Sequence, residues 1–184
     1  INRLKALTKT KRLIILGDVK HKVLYSMHEK FELEKFFGAL KFKTIIIVKG
    51  NHDGNIEKMI PENGKKITVK KFYTAGNYLL THGHRRVKTR KKTIVIGHNQ
   101  PHLRMRDDVG AYYVEPVWVR GRLTGRLEGK RLIIMPAFNE LCGATVVNKD
   151  ELLGPIAKEL DRKKAKVYMM DGTDIGYLGS FMKK

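Results

Sequence analysis

Ile45-Ile46-Ile47-Val48-Lys49-Gly50-Asn51-His52-Asp53 is an apolar run that ends abruptly in a turn. Three isoleucines and a valine in succession read as a strand buried on both faces, as in parallel sheets. After the glycine come an amide, an imidazole and a carboxylate. Open α/β sheets place ligands beyond the C-terminal ends of their strands. Gly, Asn and Asp also dominate ordinary turns for local backbone reasons, so the tetrad gains meaning only from the rest of the chain.

Working outward, Leu13-Ile14-Ile15-Leu16 is a second apolar run, and it stops at Gly17-Asp18. Leu33, Phe36, Phe37 and Leu40 recur at helical spacing and predict a helix over 28–40. Strand 44–48 follows, then a short helix over 55–60 closed by Pro61. This is a β-α-β unit with a parallel pair. Ile1, Leu4 and Leu7 predict a helix ahead of it.

Behind Pro61 short strands are predicted at 67–69, 78–80, 93–96, 111–119 and 132–135. A short helix is expected over 155–160, and a terminal hairpin pairs 167–170 with 175–181 around Asp171-Gly172. The front reads as α/β and the rear as mostly antiparallel β. The expected fold class is α/β, with two packed mixed β-sheets flanked by helices, in one domain over residues 1–184.

The 184 residues suffice for one well-buried domain. No run approaches the roughly 18 apolar residues of a membrane helix, and no signal-peptide pattern opens the chain. The single cysteine, Cys142, excludes an internal disulfide framework. In Leu-Cys-Gly-Ala it reads as a small packing residue, and a reducing, cytoplasmic setting is expected. Net charge is +20, and between Asn63 and Arg106 there are twelve cations and no acid. A phosphate-bearing polymer is the natural partner of such a window. Arg85–Lys92 is its densest part; Arg120, Arg122, Arg126, Lys130 and Arg131 form a second cluster, read as solvated surface. Tyr112, Tyr113 and Trp118 read as core and sheet-face residues rather than a base-stacking platform.

Four strand ends share one design. They are Gly17-Asp18-Val19-Lys20-His21, Gly50-Asn51-His52-Asp53, Leu80-Thr81-His82-Gly83-His84 and Ile96-Gly97-His98-Asn99-Gln100-Pro101-His102. Each sets a metal-competent side chain beside a glycine. Singly, Asp18 reads as a helix cap and His82 or His98 as a core histidine; four repetitions speak against coincidence. Oxygen and imidazole donors without thiolate suit Mn, Fe, Zn or similar ions. A carboxylate bridging two metals about 3.5–4 Å apart is the arrangement that activates water and clamps a phosphoryl group.

These residues resemble the calcineurin-like metallophosphoesterases, whose motifs run Asp-x-His, Gly-Asp, Gly-Asn-His-Asp, a strand-end His and Gly-His-x-His. Four of the five stand here in order. Gly17-Asp18-Val19-Lys20-His21 and Pro136-Ala137-Phe138-Asn139 are similar to the small DNA-ligase-associated branch. The resemblance implies an αββα sandwich and a phosphoesterase that cleaves a phosphodiester, in nucleic acid or a nucleotide, by in-line attack of metal-activated water. It implies that Asp18 bridges two metals and that Asn51, His82 and His98 complete the second site. His52 would protonate the leaving oxygen or stabilise its charge, and Asp53 would hold His52. Lys20, His21 and Arg85 are candidate phosphate contacts; His84 reads as a substrate contact or, by preference, a plain surface residue. Manganese is the expected cofactor, with iron, zinc or nickel as alternatives and one or two ions per site. No membrane partner is expected.

Two departures strike the first metal. The opening Asp-x-His motif is absent, so the first strand of the family's sheet is expected ahead of Ile1. Gln100 stands where the family has the second histidine of Gly-His-x-His, and its carbonyl is a weaker ligand than imidazole. Three explanations stay open: a preceding segment, a degenerate relative that binds nucleic acid without cutting it, or ligands supplied from elsewhere in the chain. His102, after Pro101, is expected to point away.

Overall fold

The computed structural model describes residues 1–21, 24–61, 64–139 and 141–182. They fall into two compact units, Ile1–Tyr73 and Thr74–Lys184.

The first unit opens with α1 (Asn2–Thr8), followed by β1 (Arg12–Ile15), α2 (Met27–Ala39), β2 (Thr44–Val48), a 3-10 turn (Ile56–Met59) and β3 (Lys66–Lys70). The three strands form a parallel sheet in the order β1-β2-β3, with Leu13 opposite Ile45 and Ile45 opposite Ile67. The predicted β-α-β unit is therefore present. Parallel neighbours need a crossover, and α2 supplies the one between β1 and β2. Ser26 caps α2, its side chain accepting the Glu29 amide. Leu33 and Phe37 face inward and pack with Leu40, Phe42, Ile45, Ile47, Ile56 and Met59. Burying each such side chain stabilises by about 1.5–3 kcal/mol, which fixes the register of β2 and hence where its C-terminal end lies.

The second unit contains the remaining strands. A seven-stranded sheet runs β13-β12-β9-β10-β6-β5-β4, from β4 (Tyr73–Ala75), β5 (Tyr78–Leu80), β6 (Thr93–Ile96), β9 (Trp118–Arg122), β10 (Arg131–Ile134), β12 (Lys166–Tyr168) and β13 (Asp174–Tyr177). A smaller sheet runs β11-β7-β8, from β7 (Pro101–Arg106), β8 (Tyr112–Pro116) and β11 (Thr145–Val146). A four-residue helix, α3 (Gly154–Ala157), stands where 155–160 was expected. One core joins both sheets, with Leu79, Ile94, Ile96, Leu103, Val119, Leu132, Ile134 and Val167 among its members.

Among the described pairings the rear is mostly antiparallel, as expected, with parallel pairs where β6 meets β5 and β10 and where β11 meets β7. Two expectations are corrected. The single strand predicted over 111–119 is two strands in two sheets: β8 pairs with β7, and β9 with β10 and β12. The chain passes between sheets at the buried Val117, just after Pro116, which cannot donate to a ladder. Finally, β7 follows directly on Gln100, where only a loop was expected.

Candidate active site

In the first unit two motif loops, after β1 and after β2, are stitched to each other. Asp53 is 0% exposed. Its Oδ2 accepts the Gly50 amide at 2.7 Å, and its Oδ1 accepts the amides of Val19 and Lys20 at 2.8 and 3.1 Å. A buried carboxylate is tolerated when it is fully hydrogen-bonded, and here loop amides provide the bonds. Asp53 thus bears on His52 through the loop backbone and not through a described bond to its ring. The imidazole is oriented by a carbonyl: His52 Nδ1 lies 3.0 Å from the oxygen of His21.

Asp18 sits between the same loops. Its Oδ1 accepts the His52 amide at 3.0 Å. A Cβ at position 50 would overlap the Asp18 carboxylate and backbone nitrogen, so only glycine lets β2's end approach this closely. That is the physical reason for the glycine of Gly-Asn-His-Asp. Asn51 is exposed, with its carboxamide uncommitted among the described residues.

Lys20 departs from expectation. It is 3% exposed, and its ammonium donates to the carbonyls of Gly54 at 2.6 Å and Leu24 at 3.3 Å. The cation is spent on holding the loops, not offered to a phosphate. The His21 side chain is exposed, while its amide donates to Glu29 Oε1 at 2.7 Å. Lys49, just before the tetrad, reaches Glu57 at 2.8 Å and ties the β2 end to the 3-10 turn. Burial works to raise the Glu57 carboxyl, but the hydrogen bond and charge of Lys49, with a backbone bond, outweigh it and hold the group below its usual range.

In the second unit the ends of β5 and β6 bring three histidines together. Since these strands are parallel neighbours, their C-terminal loops emerge side by side. His82 is 2% exposed. Its Nε2 lies 3.1 Å from Nδ1 of His98, with the rings edge to face at 4.9 Å. The His84 ring lies tilted at 5.4 Å from that of His82 and edge to face at 6.1 Å from that of His98. It is half-buried within this cluster, so its reading as a surface residue is corrected.

A segment that sequence reasoning missed supports the cluster. Asn99 is fully buried, and its side chain accepts the Leu153 amide at 2.7 Å and donates to the Leu153 carbonyl at 3.0 Å. Beside it Gly154 takes φ +80°, and a Cβ there would lie 2.5 Å from the Gly83 carbonyl oxygen and 3.3 Å from the His98 ring. A glycine at a left-handed turn was the available signal, but nothing local says which loop it meets.

Among described non-glycine residues only Lys9, Asp18, Asn55, His98 and Gln100 have positive φ. Lys9 and Asn55 sit at helix caps. The other three lie in the motif loops, where such backbone strain collects when a side chain must be aimed. The Gln100 backbone carbonyl lies 2.9 Å from His102 Nδ1 and accepts the Thr145 amide at 3.2 Å. Arg85 is exposed on the loop from β5 to β6; Val87 packs on the core and Lys91 donates to the Gly76 carbonyl at 2.7 Å. Tyr112 and Tyr113 are not core residues but are 59% and 45% exposed, with the Arg104 guanidinium 3.7 Å over the Tyr112 ring. Cys142 is partly buried and free.

With this geometry in view, the family described as calcineurin-like phosphoesterase matches residues 1–135. The chain belongs to that family, and so to the hydrolases of phosphate esters. Among solved structures, the crystal structure of Pseudomonas putida nuclease MPE is similar, with a TM-score of 0.59 and 17% sequence identity over 94% of this chain and 76% of that one. At that identity the likeness speaks to the fold. No curated protein matches the chain significantly. No helix among the described residues is long and apolar enough to cross a membrane.

Proposed function

We propose that this chain is a metal-dependent phosphodiesterase acting on nucleic acid or a nucleotide, within a single metallophosphoesterase domain. The observation that carries it is the His82–His98 pair, whose nitrogens stand 3.1 Å apart. Two nitrogens each about 2.05 Å from a tetrahedral ion lie about 3.3 Å from each other, so the pair fits one ion with little rearrangement. Asp18, Asn51, His82 and His98 would hold a divalent metal, manganese by preference, with Gln100 as a weaker donor. When bound, the metal supplies Lewis-acid polarisation of the phosphoryl oxygen and lowers the pKa of water.

The chain's own groups do the rest. Gly50 allows the end of β2 to lie against Asp18, whose Oδ1 is held by the His52 amide. The His21 carbonyl is only an acceptor, so it requires the proton of His52 on Nδ1. In the imidazolium form Nε2 carries a second proton, and that is the one available to the leaving oxygen, which leaves the neutral Nδ1–H tautomer behind. His21 and Arg85 would contact substrate phosphate.

The test is metal content per chain together with hydrolysis of bis(p-nitrophenyl) phosphate with and without added Mn. Bound metal and Mn-dependent hydrolysis would support the proposal. Absence of both from the wild-type chain would overturn it. Gln100, in place of the family's histidine, favours a second reading: a catalytically impaired module that binds nucleic acid. Oligonucleotide binding without turnover, at full metal loading, would favour that reading instead.

A further inference from the structure

Over β9, β10 and β12 the seven-stranded sheet buries one face, and the opposite face is partly exposed and cationic. Val119, Leu132, Ile134 and Val167 point into the core. Because side chains alternate, their neighbours Arg120, Arg122, Arg131 and Lys166 share the opposite face. Strand register sets these cations against one another: Arg122 is directly opposite Arg131, and Arg120 is opposite Lys166. Like charges directly across a ladder are destabilising. Lys166 has Asp174 at 2.7 Å. Among the described residues, Arg120, Arg122 and Arg131 have no ion-pair partner.

These residues floor a groove of about 860 Å³, to which Lys130 and Lys164 add further charge; Glu128 and Asp161 are the only carboxylates among its described lining. At one end a smaller hollow continues past Trp118 and Tyr168, which face each other across β9 and β12. Small-ligand pockets are lined mostly by apolar side chains; this lining sets six cations against two carboxylates among its described residues. A second copy of a chain with net charge +20 is a poor occupant, and a concave trough suits a strand better than a flat bilayer.

We propose that this face is a binding site for single-stranded nucleic acid, distinct from the histidine cluster, with phosphates along Arg120, Arg122 and Arg131 and a base against Trp118 or Tyr168. Such sites combine a basic track with aromatic stacking. The inference deepens the phosphodiesterase reading by making the substrate a polymer held at a second point, but binding is measured apart from hydrolysis.

The probe is a fluorescein-labelled 20-nucleotide oligothymidylate, titrated by anisotropy in EDTA, which prevents metal-dependent cleavage. Arg120→Ser/Arg122→Ser/Arg131→Ser is expected to weaken binding at least about tenfold and to reduce the salt slope by about 2, at about 0.7 per phosphate contact for single strands. A control with the same loss of charge, Lys11→Ser/Lys41→Ser/Lys43→Ser, alters exposed residues of the other unit and should leave the slope nearly unchanged. Trp118→Leu, which keeps all charge, should weaken binding without changing the slope. Equal effects of the two triple variants would overturn the proposal, as would an unaffected groove variant. Binding to phosphatidylserine vesicles but not to the oligonucleotide would also overturn it. Hydrolysis of bis(p-nitrophenyl) phosphate by the wild-type chain reports on the phosphodiesterase reading alone, so the two can fail separately.

Discussion

The Asp53 carboxylate accepts the backbone N–H of Gly50 at 2.7 Å. The same group receives the amides of Val19 and Lys20, so one buried acid fixes the two loops that carry Asp18 and His52. Asp53→Ala would leave those amides without their acceptor. Since hydrogen bonds to a charged group contribute about 1.5–3 kcal/mol each, a loss of about 3 kcal/mol or more is expected in urea unfolding. Asp53→Asn, which retains one acceptor oxygen, should lose less. A loss under about 1 kcal/mol for Asp53→Ala, no more than one neutral hydrogen bond, would contradict the stitching role.

His52→Ala should leave stability and metal content near wild type, because the imidazole's one described bond is to the exposed loop carbonyl of His21. Its kcat on a phosphodiester should fall about 100- to 10,000-fold, the usual contribution of a positioned acid. The deficit should shrink with substrates whose leaving group needs no proton. An equal deficit for good and poor leaving groups would argue that His52 is not the proton donor.

Two glycine substitutions should act in opposite directions. Gly50→Ala drives a methyl into the Asp18 carboxylate, so it should cost about 1–3 kcal/mol of stability and reduce metal content. Beyond the local backbone of α2, no atom among the described residues lies within 4 Å of the place an added methyl would take at Gly38, and Gly38→Ala should raise stability by up to about 1 kcal/mol. Thermal unfolding of the two variants side by side checks both signs.

Asp174 and Lys166 form an exposed pair whose titrations should separate. The hydrogen bond and charge of Lys166 hold the Asp174 carboxyl below its usual range, and those of Asp174 hold the Lys166 ammonium above its own. The contribution of Asp174 is present above its unfolded pKa and is lost as pH falls through the lower folded value. That of Lys166 is present below its unfolded pKa and is lost as pH rises through the higher folded value. NMR titration of Asp174 should give a midpoint under 3.8, returning toward 3.8 in Lys166→Met; an unchanged midpoint in that variant would remove Lys166 as the cause.

The parts of the fold that were legible are those in which one signal dominated. Ile45–Val48 could only be a buried strand, and Leu33, Phe37 and Leu40 could only face it from a helix. β7 was missed because its inward residues Pro101 and Leu103 alternate with histidine and arginine, a pattern too short and too charged to stand out. The break after Pro116 was hidden because β8 and β9 share one unbroken β-prone run, and only pairing partners tell them apart. At the site, residue types were readable but partners were not. Asp53 lies next to His52 in sequence, yet its oxygens turn to amides as far away as Val19. Lys20 looked free for phosphate because sequence does not show that the Gly54 carbonyl lies 2.6 Å from its ammonium.

Asn99 grips both backbone groups of Leu153, and Gly154 lies against the His98 ring. The family match ends at residue 135, so the brace of the final motif comes from outside the stretch that defines the family. A fragment trimmed to the matched stretch would keep Asp18, Asn51, His52, Asp53, His82 and His98, yet the backbone holding His98 at its strained angle would lose its clamp. Such a fragment would look complete in an alignment and be hollow in the test tube.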